Sequence, residues 1–176
     1  MNHSRSFKPK MQFFLRLLSL IPLIILLCVI FDFSAQNGTE SSNVSMRTGR
    51  VIVSCFDRIF HVTRAAADTE ALVYRVHRLV RKLAHITEYF LLTLSFFLPL
   101  FVLFSDRYAV LRGRKKIIWA VLLTVLCAAF DEFHQFFVPG RSGKPLDVCI
   151  DSIGILVAAL LLLFLTRKKK SALPQP

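Results

Sequence analysis

Residues 117–138 read Ile-Ile-Trp-Ala-Val-Leu-Leu-Thr-Val-Leu-Cys-Ala-Ala-Phe-Asp-Glu-Phe-His-Gln-Phe-Phe-Val. The run is long enough to cross a hydrocarbon core, which takes about 20 mostly apolar residues. Its last third, however, carries Asp131, Glu132, His134 and Gln135. Three cleaner runs flank it: Phe13 to Phe31, Ile86 to Phe104 and Val148 to Thr166. Together they predict four spans, one of which bears a cluster of ionisable groups near its end.

Composition supports a membrane protein. Of the 176 residues 55% are hydrophobic and 17 are Phe, and the apolar residues come in runs instead of periodic faces. The expected fold is an all-α membrane protein, a four-transmembrane-helix bundle in a single domain over residues 1–176. Its spans fall at about 13–31, 84–104, 117–138 and 148–166, with an amphipathic helical outer segment within 32–82.

The formal charge of +12 does not point to nucleic acid, because the basic residues punctuate span ends. Arg5, Lys8, Lys10 and Arg16 precede or open the first span, and Arg107, Arg112, Arg114, Lys115 and Lys116 lie between the second and third. Arg167 to Lys170 begin a basic tail over 167–176. Lys and Arg collect on the cytoplasmic side, so both termini are expected there. The first outer connection carries Arg47, Arg50, Arg58, Arg64, Arg75, Arg78, Arg81 and Lys82, but its length weakens its vote. Phe33-Ser34-Ala35 is a poor cleavage site and the first apolar run is long for a signal peptide, so it is expected to stay as an anchor.

The stretch Ser34 to Asn43 is polar and rich in turn formers and is expected to be an exposed loop. From Thr69, the apolar positions Leu72, Val76, Leu79 and Leu83 recur at helical spacing with Arg75, Arg78 and Lys82 on another side. That pattern suits a helix lying at the headgroups before turning into the second span, or packing over the bundle mouth. A weaker helical pattern joins Ile52, Phe56, Ile59 and Phe60. The four cysteines form no CxxC pair and indicate neither a disulfide framework nor a zinc site. Gly-Arg-Ser-Gly-Lys at 140–144 lacks the glycine spacing of a phosphate-binding loop.

Antiparallel alternation of the spans brings the polar residues to one depth. His85 and Glu88 open the second span, Asp131 lies about 10 Å below the end of the third, and Asp147 and Asp151 open the fourth. Lys82, His85 and Glu88 share a stripe with Tyr89 beside it, and Asp131, His134 and Gln135 share another. Glu132 is turned by about 100° from Asp131. Carboxylates within spans suggest a functional site. His85, Glu88, Asp131 and His134 are candidates for catalysis or for ligating a divalent metal. With Arg141 the set can instead form a pocket for an anionic headgroup.

Blander roles remain open. Asp147 can be the N-cap of the fourth span, with Asp151 favoured by the helix dipole. His85 and Glu88 can pair with Arg141 or Asp131 as interhelical glue. Ser142 and Ser152 are possible nucleophiles, but the sequence pairs neither with a base. The cofactor stays open, a divalent metal on His85, Glu88, Asp131 and His134 being the candidate.

Three segments resemble the VanZ-like family. Arg81-Lys82-Leu83-Ala84-His85-Ile86-Thr87-Glu88-Tyr89-Phe90 is similar to its Lys-x-x-His-x-x-Glu-Tyr signature. Asp131 to Arg141 resembles its Asp-Glu-x-x-Gln…Pro-x-Arg stretch, and Asp147-x-x-x-Asp151-x-x-Gly154 its third block, with Asp151 where Asn is expected in many members. Phe33-Ser34-Ala35-Gln36 is similar to the family's exit from the first span, and the likeness runs from about Leu20 to Leu165. The resemblance implies a small helical membrane bundle. It also implies a site built on Lys82, His85, Glu88, Tyr89, Asp131, Glu132, Gln135, Arg141, Asp147, Asp151 and Gly154. The family takes its name from an accessory protein of low-level teicoplanin resistance. The expected partners are therefore the lipid bilayer and an envelope lipid or cell-wall precursor, with no nucleic acid. A metal-dependent hydrolase or transferase and a non-catalytic scaffold or small transporter are the alternatives.

Overall fold

A computed structural model describes residues 9–103 and 113–167, and it is helical throughout these segments apart from short connections. The order is α1 (Pro9–Ala35), α2 (Gly38–Phe60), α3 (Ala66–Leu103), α4 (Gly113–Gln135) and α5 (Pro145–Arg167). Four helices are long and apolar enough to cross a membrane: Phe13–Ala35, Ala66–Leu103, Gly113–Gln135 and Pro145–Thr166. The chain is thus a multi-pass membrane protein. Arg5, Lys8, Arg107, Arg112 and Lys168 to Lys170 lie outside the described residues.

The spans look unlike a soluble core. Phe13, Phe14, Ile24, Leu126, Phe130, Leu156 and Leu160 are all largely exposed, as lipid-facing side chains are. The centre holds Ile30, Tyr89, Leu92, Ala128 and Ile155. Hydroxyls within the apolar stretches bond back to their own helix. Thr93 Oγ1 donates to the Tyr89 carbonyl and Thr124 Oγ1 to that of Ala120, each at 2.8 Å. In hydrocarbon such internal partners are obligatory.

Small residues set how closely the helices meet. A Cβ on Gly154 would stand 2.0 Å from the carbonyl oxygen of Ile86, so α5 presses its backbone against α3 one residue past His85. Ala120, Ala128 and Ala158 are fully buried, which suits the close approach that membrane helices use in place of a hydrophobic drive.

Three expectations are corrected. The turn-rich stretch after the first span is not a loop, because only Gln36 and Asn37 separate α1 from α2. Asn37 caps α2, its side chain accepting the Glu40 N–H at 2.9 Å, while Ser42 Oγ and Ser45 Oγ bond back to the carbonyls of Gly38 and Ser41. Asn and Ser favour loops because their side chains compete for the backbone; here those same bonds finish a helix.

The basic amphipathic segment does not turn at the headgroups either. It is the first half of α3, a helix of 38 residues, about 57 Å at 1.5 Å per residue. That exceeds a hydrocarbon core of about 30 Å, so α3 is longer than one crossing needs. Its partner is α2, which runs back along it. Val53 and Val73 are buried between the two, and Gly49 lets the backbones approach, its missing Cβ falling 3.4 Å from the Val73 carbonyl. Arg50 pairs with Glu70 along this hairpin, and Arg64 pairs with Asp57 near its tip. Leu79 and Leu83, on the apolar stripe of this segment, are exposed, as residues of a lipid-facing stripe are.

Asp147, thirdly, is not the cap of α5. The helix begins at Pro145, Asp147 lies in its first turn, and its N–H donates to the Lys144 carbonyl at 2.8 Å. A carboxylate there still complements the helix dipole.

Candidate functional site

The polar residues meet at one end of the bundle, where α1 and α4 finish, the apolar half of α3 begins and α5 starts. His85 is central. Its Nδ1 lies 3.7 Å from Asp151 Oδ1 on α5 and 4.0 Å from Glu88 Oε2 one turn along its own helix. Asp151 is 1% exposed, and its Oδ2 has no hydrogen-bond partner. A buried carboxylate with a free oxygen beside an imidazole can orient that ring, accept its proton, or receive a donor from a ligand.

Asp131 is buried on α4 and accepts from Gln135 Nε2 at 3.0 Å. Tyr89 is fully buried, and its hydroxyl has no hydrogen-bond partner. Glu132, turned away as its spacing predicts, holds the connection between α4 and α5 by accepting the Lys144 N–H at 2.7 Å. It is a clasp for that turn.

Arg141 leaves the turn and reaches back to α1. Its Nη2 donates to the Phe33 carbonyl at 2.6 Å and its Nε to the Gln36 carbonyl at 3.0 Å. The Phe33 carbonyl is among the last of α1 and the Gln36 carbonyl follows directly after it, where acceptors lack partners within a helix. No ion pair from Arg141 to Glu88 or Asp131 forms among the described residues. Burial lowers the pKa of this guanidinium, and the cation of Arg81 nearby lowers it further.

Two adjoining cavities open here. One, of about 320 Å³, is lined by Ser34, Ser41, Ser45, Arg81, His85, Glu88, Asp131 and Arg141 with apolar neighbours from α1 to α3. The second, of about 330 Å³, is lined by Arg78, Arg81, Lys82, His85, Glu132, Gln135, Arg141, Lys144, Asp147 and Asp151 among others. Arg81, His85 and Arg141 line both and form the ridge between them.

The proposed metal and catalytic set divides. His85, Glu88 and Asp131 share the first cavity, but His134 faces α1. Its ring stacks on Phe31 with centroids 5.1 Å apart, and its Nδ1 lies 3.3 Å from Ser34 Oγ. Among the described residues no three His, Cys, Asp or Glu side chains gather as a metal site.

Sequence reasoning missed Arg81, Lys144 and the end of α1. Arg81 stands next to the signature lysine, and only the rotation of α3 shows that it, with Lys82, reaches the cavities. The Phe33 and Gln36 carbonyls leave no trace in side-chain patterns.

A family model described as VanZ/LLP1 matches residues 19–166. No curated protein and no solved structure matches the chain. The chain belongs to the VanZ/LLP1 family.

Proposed function

We propose that this member of the VanZ/LLP1 family binds an envelope amphiphile, a lipid or a glycopeptide-related ligand, in the twin cavities at the polar end of its bundle. The observation that carries this reading is the ridge of Arg81, His85 and Arg141 shared by two cavities at the mouth of four apolar helices. Intramembrane ionisable residues are costly and are retained for use. Cations and the unpartnered Asp151 Oδ2 beside apolar lining suit a ligand that is polar at one end and apolar at the other.

The polar end is taken to face outside, with both termini cytoplasmic. Arg16, Arg114, Lys115 and Lys116 gather at the opposite end, as the positive-inside rule asks. A link to glycopeptide resistance, teicoplanin in particular, is part of this proposal. The His85–Asp151 contact supports a second reading, in which the pocket also moves a proton during turnover of the bound molecule.

The test is an inventory of lipids and cell-wall precursors in cells with and without the protein. A change confined to one class of amphiphile is expected, and an unchanged inventory would remove the enzymatic version. Labelling Ser142→Cys with an impermeant thiol reagent tests the sidedness, since reaction only from the cytoplasm would invert the proposal.

A further inference from the structure

A third cavity changes what the ligand should look like. Between α1 and α4 runs a groove of about 610 Å³, almost wholly apolar, with Cys28, Phe31, Leu126 and Phe130 along it and Asp131 and His134 among its lining. It lies within the stretch of α1 and α4 that is apolar enough to cross a membrane. Ile30 and Asp131 line both this groove and the first polar cavity, and the ridge of Arg81, His85 and Arg141 joins that cavity to the second. Three spaces therefore adjoin in series: apolar, mixed, and basic.

The basic cavity has a defined character. Arg78, Arg81, Lys82, Arg141 and Lys144 line it against Glu132, Asp147 and Asp151. Of those carboxylates, Glu132 accepts the Lys144 N–H and Asp151 Oδ1 lies 3.7 Å from His85 Nδ1, and the five Arg and Lys side chains outnumber the three carboxylates. Arg81 and Arg141 line the same two cavities. Although Arg141 uses Nε and Nη2 on carbonyls at the end of the first span, both keep their positive charge, so the pair favours an anion nearby. Planar guanidiniums and ammoniums together are the usual receptors of phosphate. A quaternary ammonium headgroup would call for an aromatic cage, and no Phe, Tyr or Trp is among the described lining residues.

We infer that the ligand is a phosphate-bearing lipid, its chain lying in the α1–α4 groove and its phosphate in the basic cavity beyond the Arg81–Arg141 ridge. This deepens the amphiphile reading above and rests on it. The order of the cavities fixes the approach: the chain enters sideways from the bilayer between α1 and α4, and the headgroup follows past Asp131. A free phosphate would share the headgroup chemistry but would make no use of the groove.

The experiment uses the purified full chain in detergent and native mass spectrometry with three probes: phosphatidic acid, diacylglycerol with the same chains, and inorganic phosphate. Phosphatidic acid should be retained at least about tenfold better than diacylglycerol, one decade of affinity for the phosphate contacts. Arg78→Gln with Lys144→Gln, both exposed and so safe for folding, should lower phosphatidic acid retention about tenfold. Leu126→Trp, at a 66% exposed groove position, should lower it comparably, whereas Leu160→Trp on the lipid face of α5 should not. A thermal melt of each variant confirms that it folds.

Equal retention of the two lipids would overturn the phosphate assignment and leave the amphiphile reading standing. Full retention by Leu126→Trp would overturn the groove. Displacement of phosphatidic acid by inorganic phosphate at equal concentration would show a free-ion site and overturn the inference as well. Retention of neither lipid would sink both this inference and the reading beneath it.

Discussion

Asp151 Oδ1 stands 3.7 Å from His85 Nδ1 across the contact of α5 with α3, and Gly154 makes that distance possible by letting the two backbones touch at Ile86. The pair thus depends on helix packing one turn away. This separates positions that hold the bundle together from positions that serve the ligand.

Gly154→Ala belongs to the first kind. Its new Cβ would meet the Ile86 carbonyl oxygen at 2.0 Å, a backbone atom that cannot swing aside. Overpacking of this sort costs about 1–3 kcal/mol. A thermal melt in detergent should show a clear drop in Tm, and an unchanged Tm would mean that α3 and α5 are further apart than described.

Asp151→Asn should behave oppositely. The carboxylate is 1% exposed and one oxygen has no partner, so an isosteric amide removes a poorly compensated charge from the bundle. Tm should stay or rise while phosphatidic acid retention changes. A marked loss of Tm would assign Asp151 to the scaffold. A double-mutant cycle with His85→Ala checks the contact, with a coupling of about 0.5–3 kcal/mol expected for groups in one network.

Glu132 tests the clasp on the α4–α5 turn. Glu132→Ala leaves the Lys144 N–H without its acceptor and should destabilise the protein by about 1–3 kcal/mol. Glu132→Gln keeps an acceptor oxygen and should lose much less. Equal losses in the two variants would show that charge, and not this hydrogen bond, is what matters at 132.

Arg141→Lys should be damaging although it keeps the charge. A point-like ammonium cannot reproduce the forked bonds to the Phe33 and Gln36 carbonyls. Tm should fall and hydrogen exchange at the end of α1 should quicken. A lysine variant with native exchange in that segment would limit Arg141 to a role in ligand binding.

Much of this was legible from the sequence for a simple reason. Long apolar runs have one low-energy solution in a bilayer, and alternation of the spans then sets the depth of His85, Glu88, Asp131 and Asp151. The pairing along stripes also followed from spacing, as the Gln135–Asp131 bond illustrates. What escaped was rotation and backbone. His134 shares a stripe with Asp131, yet α1 stands over it, and Phe31 takes its ring out of the His85 cluster. The first half of α2 was hidden by its Ser and Asn content, whereas Ile52, Phe56, Ile59 and Phe60 already carried a helical pattern in its second half. Asn37 with Glu40 at N3 is the spacing of a cap. Arg141 bonds to carbonyls of residues 33 and 36, and backbone acceptors so distant in the chain have no sequence signature.

The central claim is that an amphiphile occupies the polar end of this bundle. Photo-crosslinking tests it most directly, with membranes containing the protein supplied with a diazirine-bearing phosphatidic acid, irradiated, and the labelled peptides mapped. The account predicts label concentrated on residues 27–31, 81–88 and 126–141, and reduced there by Leu126→Trp and by Arg78→Gln with Lys144→Gln. Label spread evenly over the lipid-exposed faces of α1 and α5, and indifferent to these substitutions, would contradict it.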